Sequence, residues 1–398
     1  MPSLKRVFVT GSGVLVGGSE SVAGLWRSVM NEKSEWCELP RDETLAELAA
    51  LSRADALILA RHQLLALSVV ESAWRSAGLP DHRNRLRGEG AKHRNSRFGC
   101  VSGSSLGGLA AMEVETASPK YRPSPYSLTR WRGNSITAVT TLRYGLGAAD
   151  FSINAASATG AQALFLAGMM IRSGLADLVV ATAADVSQPP LLRETMVRNG
   201  SVAKNHASLP LSSSRSGMRP AEGAGCLILE SEDHASARGA TFIAEWVGGS
   251  CANEACHLMA PDDSAFLLEE SIRSLGNQYL SPGSGLSRID WLSLHATGTS
   301  RFDKAEMGCL KRLFPEKLPW ISALKRITGH ALGASGLIEA SLLAEGLNRG
   351  EVPPWPSLID PALGLDGMKP VDLSRPELAL QIAQGMGGTL VLNLLAAQ

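Results

Sequence analysis

Residues 148–185 read AADFSINAASATGAQALFLAGMMIRSGLADLVVATAAD. Phe151–Ala155 (Phe-Ser-Ile-Asn-Ala) predicts a short strand that ends in a turn of small residues. Ala158–Ile171 follows as a helix that is apolar on every face, which places it inside the protein. Gly174 ends it, and Leu178–Thr182 predicts the next strand. The start of a buried helix has unpaired N–H groups and the positive end of the helix dipole. Ser157 stands at that point. Serine there has two readings: a simple N-cap, or the place where a fold holds a nucleophile or an oxyanion.

Working outward, the 398-residue chain carries 38 basic and 38 acidic residues, so its charge offers no footprint for nucleic acid or an anionic membrane. Of the six cysteines, no two form a CxxC pair. Cys251, Cys256 and His257 cluster loosely but lack a fourth ligand, so no metal is expected. No apolar run approaches the roughly 20 residues that cross a bilayer. Met-Pro-Ser-Leu-Lys-Arg leads into a strand rather than a secretory signal. The expectation is a soluble, reduced, cytoplasmic protein.

Before the central stretch, Arg6–Thr10 predicts a strand broken by Gly11 and Gly13, and Ser19–Met30 and Leu57–Ala77 predict helices. Residues 82–97 are strongly basic, read either as a solvated loop or as a docking patch for an acidic partner. Phe98–Ser102 predicts a strand, and Asn134–Tyr144 a helix stopped by Gly145. After the central stretch, Gly225–Glu230 predicts a strand with Phe242–Gly248 as its neighbour. Asp290–His295 is a strand ending at a Thr/Gly turn, and Asp303–Phe314 a helix. Trp320–Ala323 is a strand, Gly329–Leu347 a helix rich in small residues, and Leu378–Ala383 and Leu390–Leu395 are closing strands. Strands alternating with helices imply an α/β fold. Ser157 and His295, at strand ends in different halves, suggest a duplicated unit with one shared site.

Five motifs in order sharpen this: Ala155-Ala-Ser-Ala-Thr-Gly160; Glu222-Gly-Ala-Gly225; His295-Ala-Thr-Gly-Thr299 with Asp303 and Glu306; Lys325-Arg-Ile-Thr-Gly-His330 with Glu339; and Gly385-Met-Gly-Gly-Thr389. Together they resemble the β-ketoacyl-acyl-carrier-protein synthase family over nearly the whole chain. The resemblance implies a thiolase-like α/β fold of two similar halves in α-β-α-β-α layers, here residues 1–240 and 241–398, paired into dimers. It implies no bound cofactor, only acyl and malonyl substrates on the phosphopantetheine arm of an acyl carrier protein. By that resemblance His295 and His330 match the two catalytic histidines, Lys325 the neighbouring lysine and Glu339 the acid beyond it. Thr297 and Thr299 match pantetheine-contacting threonines, and Asp303 stands near the site. The N–H groups of Ser157 and of the closing turn near Gln384 match the oxyanion hole.

The chain departs from the family where the nucleophile belongs: Ser157 replaces Cys. A helix N-terminus and a histidine bring a thiol into its reactive thiolate form near neutral pH. The same field leaves an alcohol protonated. Ser214-Arg-Ser-Gly-Met218 replaces an Asp-Arg-Asp-Gly-Phe pattern. Gln384 and Met386 replace two aromatic residues of the closing turn, Ala296 a glycine and Phe302 an asparagine. Three readings remain open. One is a chain-length-factor-type subunit that forms a heterodimer with a cysteine-bearing synthase, or else a homodimer. A second is an active synthase carrying a Cys-to-Ser change. The third is a malonyl decarboxylase or a serine-dependent acyltransferase. The family's dimer implies an interface formed by the strand after the buried helix and Asn134–Tyr144, and on the first reading the mate's tunnel abuts Met112–Tyr126.

Overall fold

The computed structural model describes residues 5–33, 38–81, 83–86, 92–186, 189–204, 207, 209–280, 285–364 and 373–398. The first half supplies β1 (Val7–Val16), α1 (Arg61–Ser76), β2 (Phe98–Gly103), α2 (Ser135–Tyr144), β3 (Asp150–Ile153), α3 (Thr159–Arg172), β4 (Leu178–Asp185) and β5 (Gly223–Ser231). The second supplies β6 (Ala244–Asn253), α4 (Phe266–Tyr279), β7 (Trp291–Ser293), α5 (Ser300–Leu313), β8 (Trp320–Ser322), α6 (Ser335–Arg349), β9 (Leu378–Gly385) and β10 (Thr389–Ala396).

The strands lie in the order β3-β2-β4-β5-β1-β6-β10-β9-β7-β8. Reading outward from the middle, β1 pairs antiparallel with β5, β5 antiparallel with β4, and β4 and β3 each parallel with β2. The second half repeats this sequence of directions: β6 with β10, β10 with β9, then β9 and β8 each parallel with β7. The halves are therefore two copies of one topology. They meet where Phe8 and Val9 pair with Glu245 and Ala244.

Helices α3 and α6, each preceding the fourth strand of its half, pack against each other between strands of both halves. Their contact is backbone on backbone. A methyl group added at Gly160 would lie 2.7 Å from the Leu337 nitrogen, and one at Gly336 would lie 2.3 Å from the Ala161 nitrogen. Around them Leu164, Ile171, Leu337 and Leu343 are fully buried with Trp246 and Trp291. Burying such side chains is worth ~1.5–3 kcal/mol each. The all-apolar helix of the sequence is thus the middle layer, with the two halves of the sheet on either side and α1 and α4 outside them.

Several expectations change. Strand β1 does not stop at Gly11; it continues to Val16 with a bulge at Val9/Gly11. Those glycines admit α1: a Cβ at Gly11 would sit 2.2 Å from the Ala73 carbonyl oxygen, and one at Gly13 2.2 Å from that of Val69. Strand β6 neighbours β1 and β10, not β5. The helix expected from Gly329 starts at Ser335, after a turn with Leu332 in the left-handed region at φ 46°. Strand β4 lies between β2 and β5, so it cannot be an interface; the open edge in that half is β3. In the basic stretch Arg83 is buried against Glu71 and Arg97 pairs with Asp177, while Arg85, Lys92, His93 and Arg94 are also exposed. His82, Arg87 and Glu89 of that stretch lie outside the described residues.

Candidate active site

The turn between β3 and α3 carries Ser157. Ala156, just before it, is held in the left-handed region at φ 49°, a conformation that costs a non-glycine residue ~1–2 kcal/mol. Thr159 supports this turn. Its hydroxyl accepts the Ala155 N–H at 2.9 Å and donates to the Ala156 carbonyl at 2.7 Å. The N-cap of α3 is Ala158, and no side chain caps the helix. The N-cap reading of Ser157 is therefore displaced: Ser157 sits one residue outside the helix and faces a cavity of about 490 Å³.

The same cavity is lined by His295, His330, Thr297, Thr299, Met218, Gln384 and Met386. Residues from both halves thus meet at one place despite their separation in sequence. Strand β9 reaches the turn because Gly385 has no side chain: a Cβ there would lie 2.2 Å from the Ala155 carbonyl oxygen. That contact sets Gln384 beside Ser157 at the cavity wall.

His295 follows β7. Its N–H and that of Ala296 donate to the two oxygens of the buried Glu306 at 2.7 and 3.0 Å, which fixes the strand end. Burial raises Glu306 to about 7 despite those two donors. Asp303 does the same for the next turn, accepting the N–H groups of Gly298 at 3.1 Å and Leu211 at 2.8 Å. Burial raises it to about 6. Thr297 and Thr299 hydroxyls bond each other at 2.9 Å.

The two imidazoles stand edge to face, with ring centroids 6.0 Å apart. His330 Nδ1 bonds the Ser335 hydroxyl at 3.0 Å. Nδ1 of His295 is buried with no partner among the described residues. Burial and then the positive charge of Lys325 hold both rings well below the usual imidazole range, so both are neutral at pH 7. Lys325 itself does not line the cavity. It is held in a buried ion pair with Glu339 at 2.6 Å. The other Glu339 oxygen, Oε2, has no hydrogen-bond partner among the described residues. Burial raises the Glu339 carboxyl against the pull of Lys325.

Other lining residues carry no motif. The Phe302 ring lies 5.6 Å from that of His295, on the cavity side. His257 also lines the cavity, and its Nδ1 accepts the N–H groups of Met259 and Ala260 at 3.0 and 2.9 Å, leaving its proton on Nε2. Asp185, at the end of β4, clasps the halves together. Its carboxylate accepts the Ser104 hydroxyl and the N–H groups of Ser105, Leu106 and Gly333 at 2.7 to 3.0 Å.

Two neutral rings able to present N–H donors, an N–H at the Ser157 turn and an apolar cavity make a site that can hold a thioester and an enolate oxygen. What it lacks is a thiol. No hydrogen bond joins Ser157 Oγ to either imidazole among the described residues, so nothing draws off its proton.

Residues 42–235 match the β-ketoacyl synthase N-terminal domain, and residues 244–358 the β-ketoacyl synthase C-terminal domain. The chain is 27% identical to 3-oxoacyl-[acyl-carrier-protein] synthase 2 of Coxiella burnetii over 98% of each chain. It is 30% identical to a 3-oxoacyl-[acyl-carrier-protein] synthase homolog of Saccharomyces cerevisiae over 73% of this chain and 69% of that one. It is 28% identical to nodulation protein E of Rhizobium meliloti over 97% of each. Among solved structures, the fold is shared with a chain from a type II polyketide synthase acyl-carrier protein in complex with its ketosynthase (TM-score 0.82, 24% identity, all of both chains). It is shared equally with a chain of the ishigamide ketosynthase/chain length factor (TM-score 0.82, 22% identity, all of both chains).

Proposed function

This chain belongs to the β-ketoacyl synthase family, and from that premise we propose that it is a non-condensing, chain-length-factor-like partner of a cysteine-bearing synthase. The observation that carries this reading is Ser157 itself. An alcohol stands on the nucleophile turn with no base hydrogen-bonded to it. It cannot accept an acyl chain from a carrier protein at a useful rate, and an ester would be a poorer acyl donor to a carbanion than a thioester.

The partner binds along β3. This strand is exposed along nearly its whole length, with Phe151 44% exposed. An uncovered, partly apolar strand edge calls for another strand. Met112, on the helix Gly107–Thr116, is also exposed, so the stretch Met112–Tyr126 is available to wall the mate's acyl tunnel. The substrates handled by the pair are acyl and malonyl groups on the phosphopantetheine of an acyl carrier protein, and no further cofactor is required. Thr297 and Thr299 orient the arm, while Met218, Gln384 and Met386 shape the inner wall.

Co-expression with a cysteine-bearing synthase of the same family tests the proposal. A one-to-one complex whose product shortens when a small residue in Met112–Tyr126 is enlarged supports it. Two separate homodimers, with product length indifferent to this chain, refute it.

The intact His295, His330 and Lys325–Glu339 set favours a second activity on the same site, decarboxylation of a malonyl thioester. That step needs donors to an enolate oxygen but no thiol.

A further inference from the structure

Gln384 is the penultimate residue of β9. Alternation along the strand gives its two faces different surroundings. Ala383 turns to the Ser157 turn and packs with Ala155, Ala158 and Ala161. Leu380 and Ile382 turn the other way, into an apolar layer with Leu292, Leu310 and Leu390. Gln384 continues that second row, and Leu390 is its paired neighbour on β10. An amide thus ends a row whose other members are aliphatic.

The Gln384 side chain is buried, with the residue 5% exposed. Neither its amide nitrogen nor its amide oxygen has a hydrogen-bond partner among the described residues. Neither atom is sealed off, so both open on the cavity that Gln384 lines together with Ser157. Several polar neighbours are engaged elsewhere. His330 Nδ1 is bonded to Ser335, Thr297 to Thr299, and His257 Nδ1 to two backbone N–H groups. Met218, Phe302 and Met386 supply apolar surface to the same cavity.

A plain alkyl chain in this cavity would strip water from the amide and leave it unpaired, which is unfavourable. An acyl group with an oxygen at the same place would pair with it, since an amide can both donate and accept. The nearby cations do not require that oxygen to be charged. Arg301, at the mouth, is paired with Asp263 at 2.9 Å, and Lys325 with Glu339 at 2.6 Å. The close contact of Gly385 with the Ala155 carbonyl holds Gln384 at the level of the Ser157 turn. The oxygen therefore belongs near the thioester end of the acyl group.

We propose that Gln384 is a specificity-determining residue, which selects acyl groups bearing a neutral hydroxyl or keto oxygen within the first few carbons over plain alkyl chains. The proposal rests on the reading that this cavity receives acyl groups carried on pantetheine, and it names which of them fit.

Ligand-observed NMR titration of the full chain with S-acyl pantetheine thioesters tests this. The probes are 3-hydroxybutyryl, butyryl and, as the anion, succinyl. The hydroxybutyryl thioester should bind ~10-fold or more tightly than the butyryl one. Q384M keeps the length of the side chain and removes both hydrogen-bonding atoms, so it should bring these two probes within about twofold of each other. Q384L should do the same, so that the result does not depend on the folding of one variant. The preference is overturned if the two neutral probes bind the wild-type chain equally, or if both variants keep the wild-type ratio. Tighter binding of the succinyl thioester overturns the assignment to neutral groups. Those outcomes leave the cavity as a site for carrier-bound acyl groups. Failure of all three probes to bind overturns that reading and this one together.

Discussion

His295 and His330 meet with their ring planes 86° apart, an edge-to-face pair contributed by two different turns of the second half. Both rings line the same cavity, while burial first and then the charge of Lys325 suppress protonation of both. Neutral rings donate through N–H without gaining charge, which suits an oxygen that becomes negative only in the transition state.

That geometry predicts residual malonyl-thioester decarboxylation by the purified chain. His330→Ala should lower it by ~10²-fold or more, since one donor to the developing oxyanion is gone. Carbon dioxide release from malonyl-carrier protein measures it, and an unchanged rate in the variant would remove His330 from the chemistry.

Ser157→Cys is close to isosteric and should leave stability within ~1 kcal/mol. The new thiol should be labelled once by a thiol-reactive acyl mimic, read by intact mass. Condensation should still run at least ~10²-fold below that of a cysteine-bearing mate, because Phe302, Gln384 and Met386 remain. Full synthase activity in this single variant would defeat the partner-subunit reading.

Glu306 sets a pH dependence of stability. Its carboxyl is raised to about 7 in the folded chain, by burial above all, against an unfolded value of about 4.3. A raised value means that the folded state holds the proton more tightly. This contribution is whole below about pH 4.3 and is lost as pH rises through about 7, amounting to up to ~4 kcal/mol. His62, lowered to about 4, slopes the other way: its contribution is present above the ordinary imidazole value and is lost as pH falls through about 4. Urea unfolding of wild type and Glu306→Gln from pH 5 to 8 separates the two. The difference between them should shrink as pH rises, and a constant difference would contradict the assignment.

Phe151→Asp should break assembly without unfolding the chain, since the side chain is 44% exposed on β3. The expected result is loss of the one-to-one complex by light scattering with a melting temperature within about 2 °C of wild type. A complex of undiminished affinity would move the interface elsewhere.

The meeting of the candidate residues in one cavity was legible because they lie in short motifs at strand ends. Ser157, His295 and His330 were readable from such motifs, and so was the buried character of α3 from its lack of a polar face. What escaped depended on contacts between distant segments. Gly11 and Gly13 look like strand breakers in sequence, yet they mark where α1 presses on β1. His257 looked like part of a loose Cys/His cluster, but backbone N–H groups occupy its Nδ1. Asp185 carries no local signal at all, because three of its four partners precede it by about eighty residues and the fourth, Gly333, lies in the other half. Phe242–Gly248 pointed to a strand correctly, but only topology shows that it joins the halves rather than lying beside β5.

The contact of Gly160 and Gly336 has a consequence for how the molecule breathes. Where two helix backbones touch, there is no layer of side chains whose rotation could loosen one helix and leave the other in place. Solvent reaches the amides of α3 and α6 only when the whole fold opens, so their hydrogens should exchange with the free energy of global unfolding. Any opening that admits an acyl chain at lower cost must therefore come from the rim segments Asn199–Ser201 and His257–Pro261, which line the cavity from outside the two central helices.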